Sequence, residues 1–278
     1  MEISVITPSL NMLPYLKCCA ASLADQQGVH AEHIVVDGGS TDGTVDWLSA
    51  MPEILSMSEK DHGMYDAVNK GLRLAKGEIL AYLNCDEQYL PGTLAFVRDF
   101  FSGNPGVDIL SGDVLVTRPD GSLVAFRKSF APRPAYIYAS YLYTFTCALF
   151  FRRRIIDAGF WFDPNLRIAG DTEWLLRVLR AGYNTRHWSR YLSIFMDTGK
   201  NASKGENALA AARREYCQGM SAWLKAARLP INGLRLLEKV LRGNYCQSIP
   251  LEYDIYPAGF PGQRLHYAAE KIAFRWRR

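Results

Sequence analysis

Hydrophobic residues in the first half of the chain arrive in two alternating rhythms. Short continuous apolar runs, Ile3 to Thr7, His33 to Asp37 and Ile79 to Leu83, read as buried strands, and a less regular one follows from Asp108 to Val116. Between them, apolar positions recur at helical spacing near Pro14 to Asp25, Thr41 to Met51, Gly63 to Lys76 and Pro91 to Ser102. Strands and helices in alternation build an α/β fold, a mostly parallel sheet covered on both faces. Right-handed crossovers then set the carboxyl ends of the strands along one edge, where such sheets bind ligands. Polar residues gather at those ends: Thr7-Pro8-Ser9, Asp37-Gly38-Gly39-Ser40 and Asn84-Cys85-Asp86-Glu87.

The second half is less periodic. Arg118-Pro119-Asp120-Gly121 predicts a hairpin turn, and Ala131-Pro132-Arg133-Pro134 an extended connection. Trp174, Leu175, Val178 and Leu179 share one face of a helix predicted from Asp171 to Ala181 and ended by Gly182. Lys200 to Gly205 predicts a mobile loop, Glu206 to Ala227 a long helix, and the chain beyond Pro230 a small helical appendage. The expected organisation is a main domain over residues 1–205 and a C-terminal helical extension over residues 206–278.

Composition narrows the class. With 278 residues, 49% hydrophobic and 22% charged, the chain can bury one large core. A formal net charge of +4 suits an anionic small ligand and is too weak to argue for nucleic acid. Cations gather at the end, where Arg264, Lys271, Arg275, Arg277 and Arg278 alternate with Leu265, Tyr267, Ile272, Phe274 and Trp276. Such a basic, aromatic tail can lie on an anionic membrane surface, or pack its rings on the domain as a solvated helix. The six cysteines form no C-x-x-C pair, which points to a reducing compartment. Met1-Glu2-Ile3-Ser4-Val5 lacks the regions of a signal peptide, and no apolar run approaches the ~20 residues that span a bilayer. The expectation is a cytoplasmic protein whose membrane contact is at most peripheral, on the inner face of the cell membrane.

Four segments carry chemistry. Asp86 emerges where the apolar run Ile79 to Leu83 meets the ligand edge, and hard oxygen ligands there suit Mg²⁺ or Mn²⁺ bridged to phosphate. A lone Asp-Glu pair more often caps a helix or closes a turn. Polar groups from the other strand ends, converging on the same edge, reverse that preference. Asp37 ends a strand before a glycine-rich turn and can accept hydrogen bonds from a base or ribose, whereas Ser40 and Asp42 read as caps. In the helix opened by Glu59-Lys60-Asp61-His62-Gly63, the phase buries Met64, Val68, Leu72 and Ala75 and leaves Asp66, Asn69, Lys70 and Arg73 more exposed. Asp61 there is a cap or a base contact, and Lys70 a solvated cation or a phosphate contact. Asp171 and Glu173 lie two residues apart at a helix start and point different ways. One of them can serve as the base for a hydroxyl nucleophile, and a cap is the structural alternative.

Taken together these segments resemble the family 2 glycosyltransferases of the GT-A fold, especially bacterial enzymes of surface-polysaccharide assembly. The resemblance rests on Ile6-Thr7-Pro8-Ser9 with Asn11, on Val36 to Thr44, and on Glu59 to Gly71. Gly77-Glu78-Ile79, Leu83 to Glu87 and Ala169-Gly170-Asp171 complete it, in order, over roughly residues 1 to 200. It implies an inverting transfer of a sugar from a nucleotide-diphosphate sugar, with UDP the expected carrier, to the hydroxyl of a glycan or lipid-linked acceptor. The donor set it implies is Thr7, Pro8, Ser9, Asp37, Asp61, Asn69, Lys70, Asn84 and Cys85, with Asp86 as the ligand of Mn²⁺ or Mg²⁺. Asp171 is then the base, with Glu173 as the alternative. Asn84 stands where many relatives have Asp, and Gly170 where many have a second acid, so Glu87 and Glu173 are kept as substitutes. His187 is either a further phosphate contact or structural.

Two rivals remain at this level. A sugar-1-phosphate nucleotidyltransferase needs a glycine-rich basic loop after the first strand, where this chain has Pro8-Ser9-Leu10-Asn11-Met12. A sugar-nucleotide-binding protein without catalysis has no need of both Asp86 and Asp171.

Overall fold

β1 (Ile3–Ser9) is buried along its whole length in the computed structural model, which describes residues 1–199, 208–217 and 221–272. It leads into α1 (Leu13–Ala24), β2 (Ala31–Asp37), α2 (Thr44–Ser49), β3 (Ile54–Ser58), α3 (Met64–Leu74) and β4 (Ile79–Tyr82). β5 (Glu87–Tyr89), α4 (Thr93–Gly103), β6 (Ile109–Thr117), β7 (Leu123–Arg127), α5 (Pro134–Ala139), β8 (Leu149–Arg152) and α6 (Arg154–Asp157) follow. The chain continues through α7 (Gly170–Arg180), β9 (Thr185–Met196), α8 (Ala208–Tyr216), α9 (Ala222–Ala226), α10 (Arg228–Leu241), β10 (Leu251–Ile255) and β11 (Leu265–Ala269).

Nine strands form one sheet in the order β3-β2-β1-β4-β8-β6-β9-β5, with β7 paired to β6. β3, β2, β1 and β4 run parallel. Beyond them β8 is antiparallel to both β4 and β6, and β9 is parallel to β6 but antiparallel to β5. The fold is thus α/β, parallel in its first half and mixed in its second. Alternation along β1 divides the core: Ile6 packs with Ile34, Val68 and Leu72 under α3, whereas Val5 faces Cys19, Leu94 and Phe101 under α1 and α4.

Several elements depart from the sequence expectation. β3 is an edge strand whose Ser56 and Ser58 break the apolar run, and the short β5 and β8 offer three and four residues of pattern. β9 opens on Thr185-Arg186-His187-Trp188, whose partly exposed side chains hide a strand that is buried only near its end. The supposed extended connection at Pro132 to Pro134 runs into α5, with Pro134 in the first turn, where a missing N–H costs nothing.

The C-terminal extension is only partly helical. The long helix predicted to end at Ala227 is divided between α8 and α9, and α10 accommodates Pro230 in its first turn. The segment expected as an aromatic tail instead begins with β11, antiparallel to β10, with the Tyr253 and Tyr267 rings stacked at 5.5 Å. Leu251, Tyr253 and Ile255 pack onto Leu90, Leu115, Phe126 and Ile194 of the main sheet. Arg264 is tied to Asp25, so the described part of the tail is spent on the fold. The predicted loop at residues 200–205 and the end of the tail, residues 273–278, lie outside the described residues. Among the described residues, no helix is long and apolar enough to cross a membrane.

Candidate functional site

The carboxyl ends of β1 and β2 are laced together by the side chains that made the sequence pattern distinctive. Asp37 is fully buried and accepts the N–H groups of Gly39 (3.1 Å) and Ser40 (2.9 Å), both on Oδ2. The hydroxyls of Ser40 and Ser58 (2.7 Å for the latter) also donate to it. Its carboxylate therefore builds the β2 loop rather than standing open for a base. Asn11, at φ 52°, donates its N–H to Ser40 Oγ (2.7 Å) and accepts the Thr41 N–H (2.8 Å). Asp42 accepts the Leu13 N–H (2.9 Å) and the Thr44 hydroxyl (2.6 Å), closing the second stitch.

Asp61 joins this edge from the segment before α3. A Cβ added to Gly38 would lie 2.6 Å from Asp61 Oδ2, so glycine lets the two loops approach with the Asp61 carboxylate in place, and Asp61 Oδ1 accepts the Gly63 N–H (2.9 Å). Thr7 and Ser9 are both buried. Thr7 Oγ1 is 3.0 Å from His33 Nε2, inside the sheet-helix layer, where burial drops the imidazole to about 4. Ser9 lies beside the Cys85 thiol. The Thr7 hydroxyl is thus taken up inside the layer rather than at the sheet edge.

The turn after β4 separates its four polar residues. Cys85 points into the layer of Leu16, Val35 and Ile54, and burial pushes its thiol up to about 12. Glu87, fully buried on β5, accepts the Asn84 N–H (2.8 Å) and braces the turn rather than facing solvent. Burial raises the Asp86 and Glu87 carboxyls together, Glu87 the further because the Asp86 charge adds to it. Asn84 bonds Glu87 through its side chain as well, and its Oδ1 is left buried without a hydrogen-bond partner. Among the described residues, no three acids, histidines or cysteines converge as a closed metal cage. The Asp86 carboxylate and the orphan side-chain oxygen of Asn84, two residues apart on this turn, are donors of the kind an oxygen-seeking cation takes, with the rest of its shell left to a ligand.

α3 serves both sides of the site. Asn69, expected to be exposed, is buried because its amide clamps Phe162: Nδ2 donates to Phe162 O (2.8 Å) and Oδ1 accepts Phe162 N–H (3.1 Å). It positions the loop before α7 and is unavailable to a donor. Lys70 does lie at the surface, paired with Glu59 (2.7 Å) and Asp66 (3.2 Å). Tyr65, one turn earlier, stacks on Phe162 (5.9 Å) and reaches Ile168 O (3.4 Å) and the Asp171 carboxyl. A Cβ on Gly170 would sit 2.6 Å from the Tyr65 ring, which explains why no second acid stands there.

Asp171 and Glu173 are told apart by direction. Asp171 lines a cavity of ≈ 160 Å³ with Tyr143, Thr146, Tyr216, Lys239 and Arg127, whereas Glu173 turns to Arg177 (2.6 Å) on the other side of α7. Burial lifts the Asp171 carboxyl to about 6, although Oδ1 accepts the Thr172 N–H (2.6 Å). Its charge also raises the buried Tyr82 phenol of β4, which bonds Thr146 on the cavity wall; Glu87 contributes to the same shift. The β4 edge and the Asp171 cavity are therefore neighbours.

Sequence reasoning missed the supports of this loop. Glu215 of α8 accepts three successive N–H groups, those of Arg167 (3.3 Å), Ile168 (3.2 Å) and Ala169 (2.7 Å). Tyr65 carries an aromatic signal in the sequence, but Glu215 lies 46 residues beyond Ala169 and gives none. His187 proves structural: Nε2 meets Asp113 (3.0 Å) and Nδ1 meets Ser111 (3.1 Å), within β6 and β9. Tyr138 and Tyr143 are core residues, and Tyr143 also walls the cavity.

Comparison with known proteins gives this geometry a family. The family described as Glycosyl transferase family 2 matches residues 4–159, which include the β1, β2 and β4 edge and stop short of Asp171. A PGL/p-HBAD biosynthesis glycosyltransferase of Mycobacterium tuberculosis (strain ATCC 25618 / H37Rv) is 36% identical over 119 residues. That alignment takes in 41% of this chain and 46% of the relative, so the chain spans less than half the length of that curated protein. TuaG of Bacillus subtilis (strain 168), named for teichuronic acid biosynthesis, is 28% identical over 77% of this chain and 85% of its own. Among solved structures, S. aureus TarS 1-349 in complex with UDP aligns with a TM-score of 0.61 and 19% identity, covering 87% of this chain and 72% of TarS. The mannosyltransferase PcManGT from Pyrobaculum calidifontis, in complex with GDP-Man and Mn2+, aligns with a TM-score of 0.57 and 18% identity, over 89% and 76% of the two chains. At such identities the two structures speak for the GT-A fold alone. With more than half of its length matched and its sheet edge built from the matched segments, the chain belongs to glycosyltransferase family 2.

Proposed function

We propose that the protein transfers a sugar, with inversion, from a nucleotide-diphosphate sugar to the hydroxyl of a glycan acceptor, the carrier being UDP. The observation that carries this reading is the Asp171 carboxyl: it alone of the α7 acids lines the cavity, and burial holds it at about 6, a base poised for work near neutrality. The donor nucleoside rests against the stitched loops after β1 and β2, with Pro8, Gly38 and Asp61 as its wall. Asp86 would hold Mn²⁺ or Mg²⁺, with the unpartnered Asn84 Oδ1 as a further oxygen donor on the same turn. Such an ion, when bound, offsets negative charge on the diphosphate.

Asp171 takes the proton of the acceptor hydroxyl as its oxygen forms a bond to the anomeric carbon, while the bond from that carbon to the diphosphate breaks on the opposite side. An α-linked donor gives a β-linked product. Arg127, Lys128 and Lys239 make the cavity cationic, which suits an acceptor whose sugar is joined to phosphate, as in a lipid-linked glycan. The relatives named for PGL/p-HBAD biosynthesis and for teichuronic acid biosynthesis support a role in surface-polysaccharide synthesis. The test is a screen of sugar nucleotides for transfer with Asp171→Asn and Glu173→Gln beside the wild type. Asp171→Asn is expected to lower kcat by at least about a hundredfold while donor affinity stays within about twofold. Loss of transfer in Glu173→Gln alone would reject Asp171 as the base.

A further inference from the structure

α10 is built inside out. A helix on the surface of a water-soluble domain turns its apolar stripe inward, but here the inward face is polar. Arg235 and Lys239 are buried, Arg235 bonding Asn232 Oδ1 (3.0 Å) and lying over the Tyr141 ring (5.2 Å). Glu238 receives Arg133 (2.9 Å), Arg242 (2.8 Å) and the Tyr136 hydroxyl (3.0 Å). The outward face is Leu229, Gly233, Leu236, Leu237, Val240 and Leu241, a repeat of three and four residues that keeps one side of the helix apolar. Leu229 is 82% exposed, Leu241 77%, and Trp223 on the adjoining α9 68%. A contiguous apolar surface of this kind marks a place that something covers.

We propose that α9 and α10 dock on an anionic lipid bilayer, with the leucine face at the level of the acyl chains. Charge selects this occupant. From residue 208 to residue 246 the sequence holds Arg213, Arg214, Lys225, Arg228, Arg235, Lys239 and Arg242 against Glu215 and Glu238 alone. Both acids are already engaged, Glu215 by the loop before α7 and Glu238 by arginines. Lys225, Arg228 and Arg242 lie exposed at the ends of the two helices. Apolar residues with Trp on the outer face and cations at the margins match a bilayer interface with acidic headgroups. A second copy of the chain would set these like charges against each other. The surface differs from the basic aromatic tail singled out in the sequence, whose described part is folded into β11.

The geometry also gives the docking a purpose, and this part rests on the function proposed above. Lys239, on the inward face of α10, lines the Asp171 cavity. The helix that meets the membrane is thus a wall of the acceptor site, and a lipid-borne hydroxyl need travel little more than the thickness of one helix.

Flotation of the full chain with vesicles tests the docking. Wild type is expected to float with vesicles of phosphatidylglycerol and phosphatidylcholine in equal parts and to stay behind with phosphatidylcholine alone. Leu237→Glu with Leu241→Glu should weaken binding by at least about tenfold, as should Trp223→Ser with Lys225→Glu. Both pairs are exposed, and an unchanged melting temperature verifies their folding. Equal flotation of wild type and either variant would overturn the proposal. So would absence of wild-type flotation, or a wild-type dimer that the leucine changes convert to monomer. Asp171→Asn should float normally and the leucine variant should hydrolyse donor normally, so failure of the docking and failure of the proposed reaction are read separately.

Discussion

As the proposed base, Asp171 must lose its proton before it can take one. Burial sets its carboxyl at about 6, so kcat/KM should rise through pH 6 and level off above it. Below that point the base is protonated, and the rate should fall about tenfold per pH unit. A pH profile of transfer measures this limb, and a flat profile between pH 5 and 7 would assign the proton elsewhere. Asp86 calls for a different measurement. If its carboxylate anchors the cation, Mn²⁺ should tighten UDP binding to the wild type, and Asp86→Ala should remove at least about nine-tenths of that enhancement in calorimetry. Unchanged enhancement in the variant would remove Asp86 from the metal site. Asp37 shows why a residue's presence in a motif does not give its task. Its type and position were legible at the end of an apolar run, but its four donors come from Gly39, Ser40 and Ser58, and no periodicity reveals them.

At the level of elements, helical phase placed Val68 and Leu72 correctly and failed at Asn69. An amide on a helix looks exposed unless its partner is known, and that partner, Phe162, lies 93 residues away. Asn69→Ala would leave the Phe162 N–H and C=O unpaired in the core, a loss of about 2–4 kcal/mol. Urea unfolding should record it, with kcat lowered more than donor affinity because the displaced loop carries Asp171. The same reasoning explains which strands escaped notice. β1, β2 and β4 are buried on both faces and read as apolar runs, whereas β3 lies at an edge and β9 begins among exposed residues. The Asp171 helix was legible from its own periodicity. Its placement was not, because Glu215 and Asn69 hold its loop from distant elements.

Across the whole molecule, the parallel half of the sheet carries the edge laced around Asp37, and the Asp171 cavity is lined by Arg127 and Phe195 of the mixed half together with residues 141–146, α7, α8 and α10. The C-terminal extension is not a passive appendage: α8 holds the Asp171 loop, α10 walls the cavity, and β10 packs on the main sheet. α3 joins the two halves. Its amino end meets Asp61 at the sheet edge, its Tyr65 lies against Gly170, and its Asn69 grips Phe162. If the Asp171 cavity takes the acceptor as proposed, this shared rod limits how acceptor preference can be re-engineered. A segment from Phe160 to Asp171 transplanted from a relative will bring its proposed base to the right place only if its residues at 162 and 170 suit the Asn69 and Tyr65 already present. Recombination that exchanges the loop together with α3 should therefore yield working hybrids more often than exchange of the loop by itself.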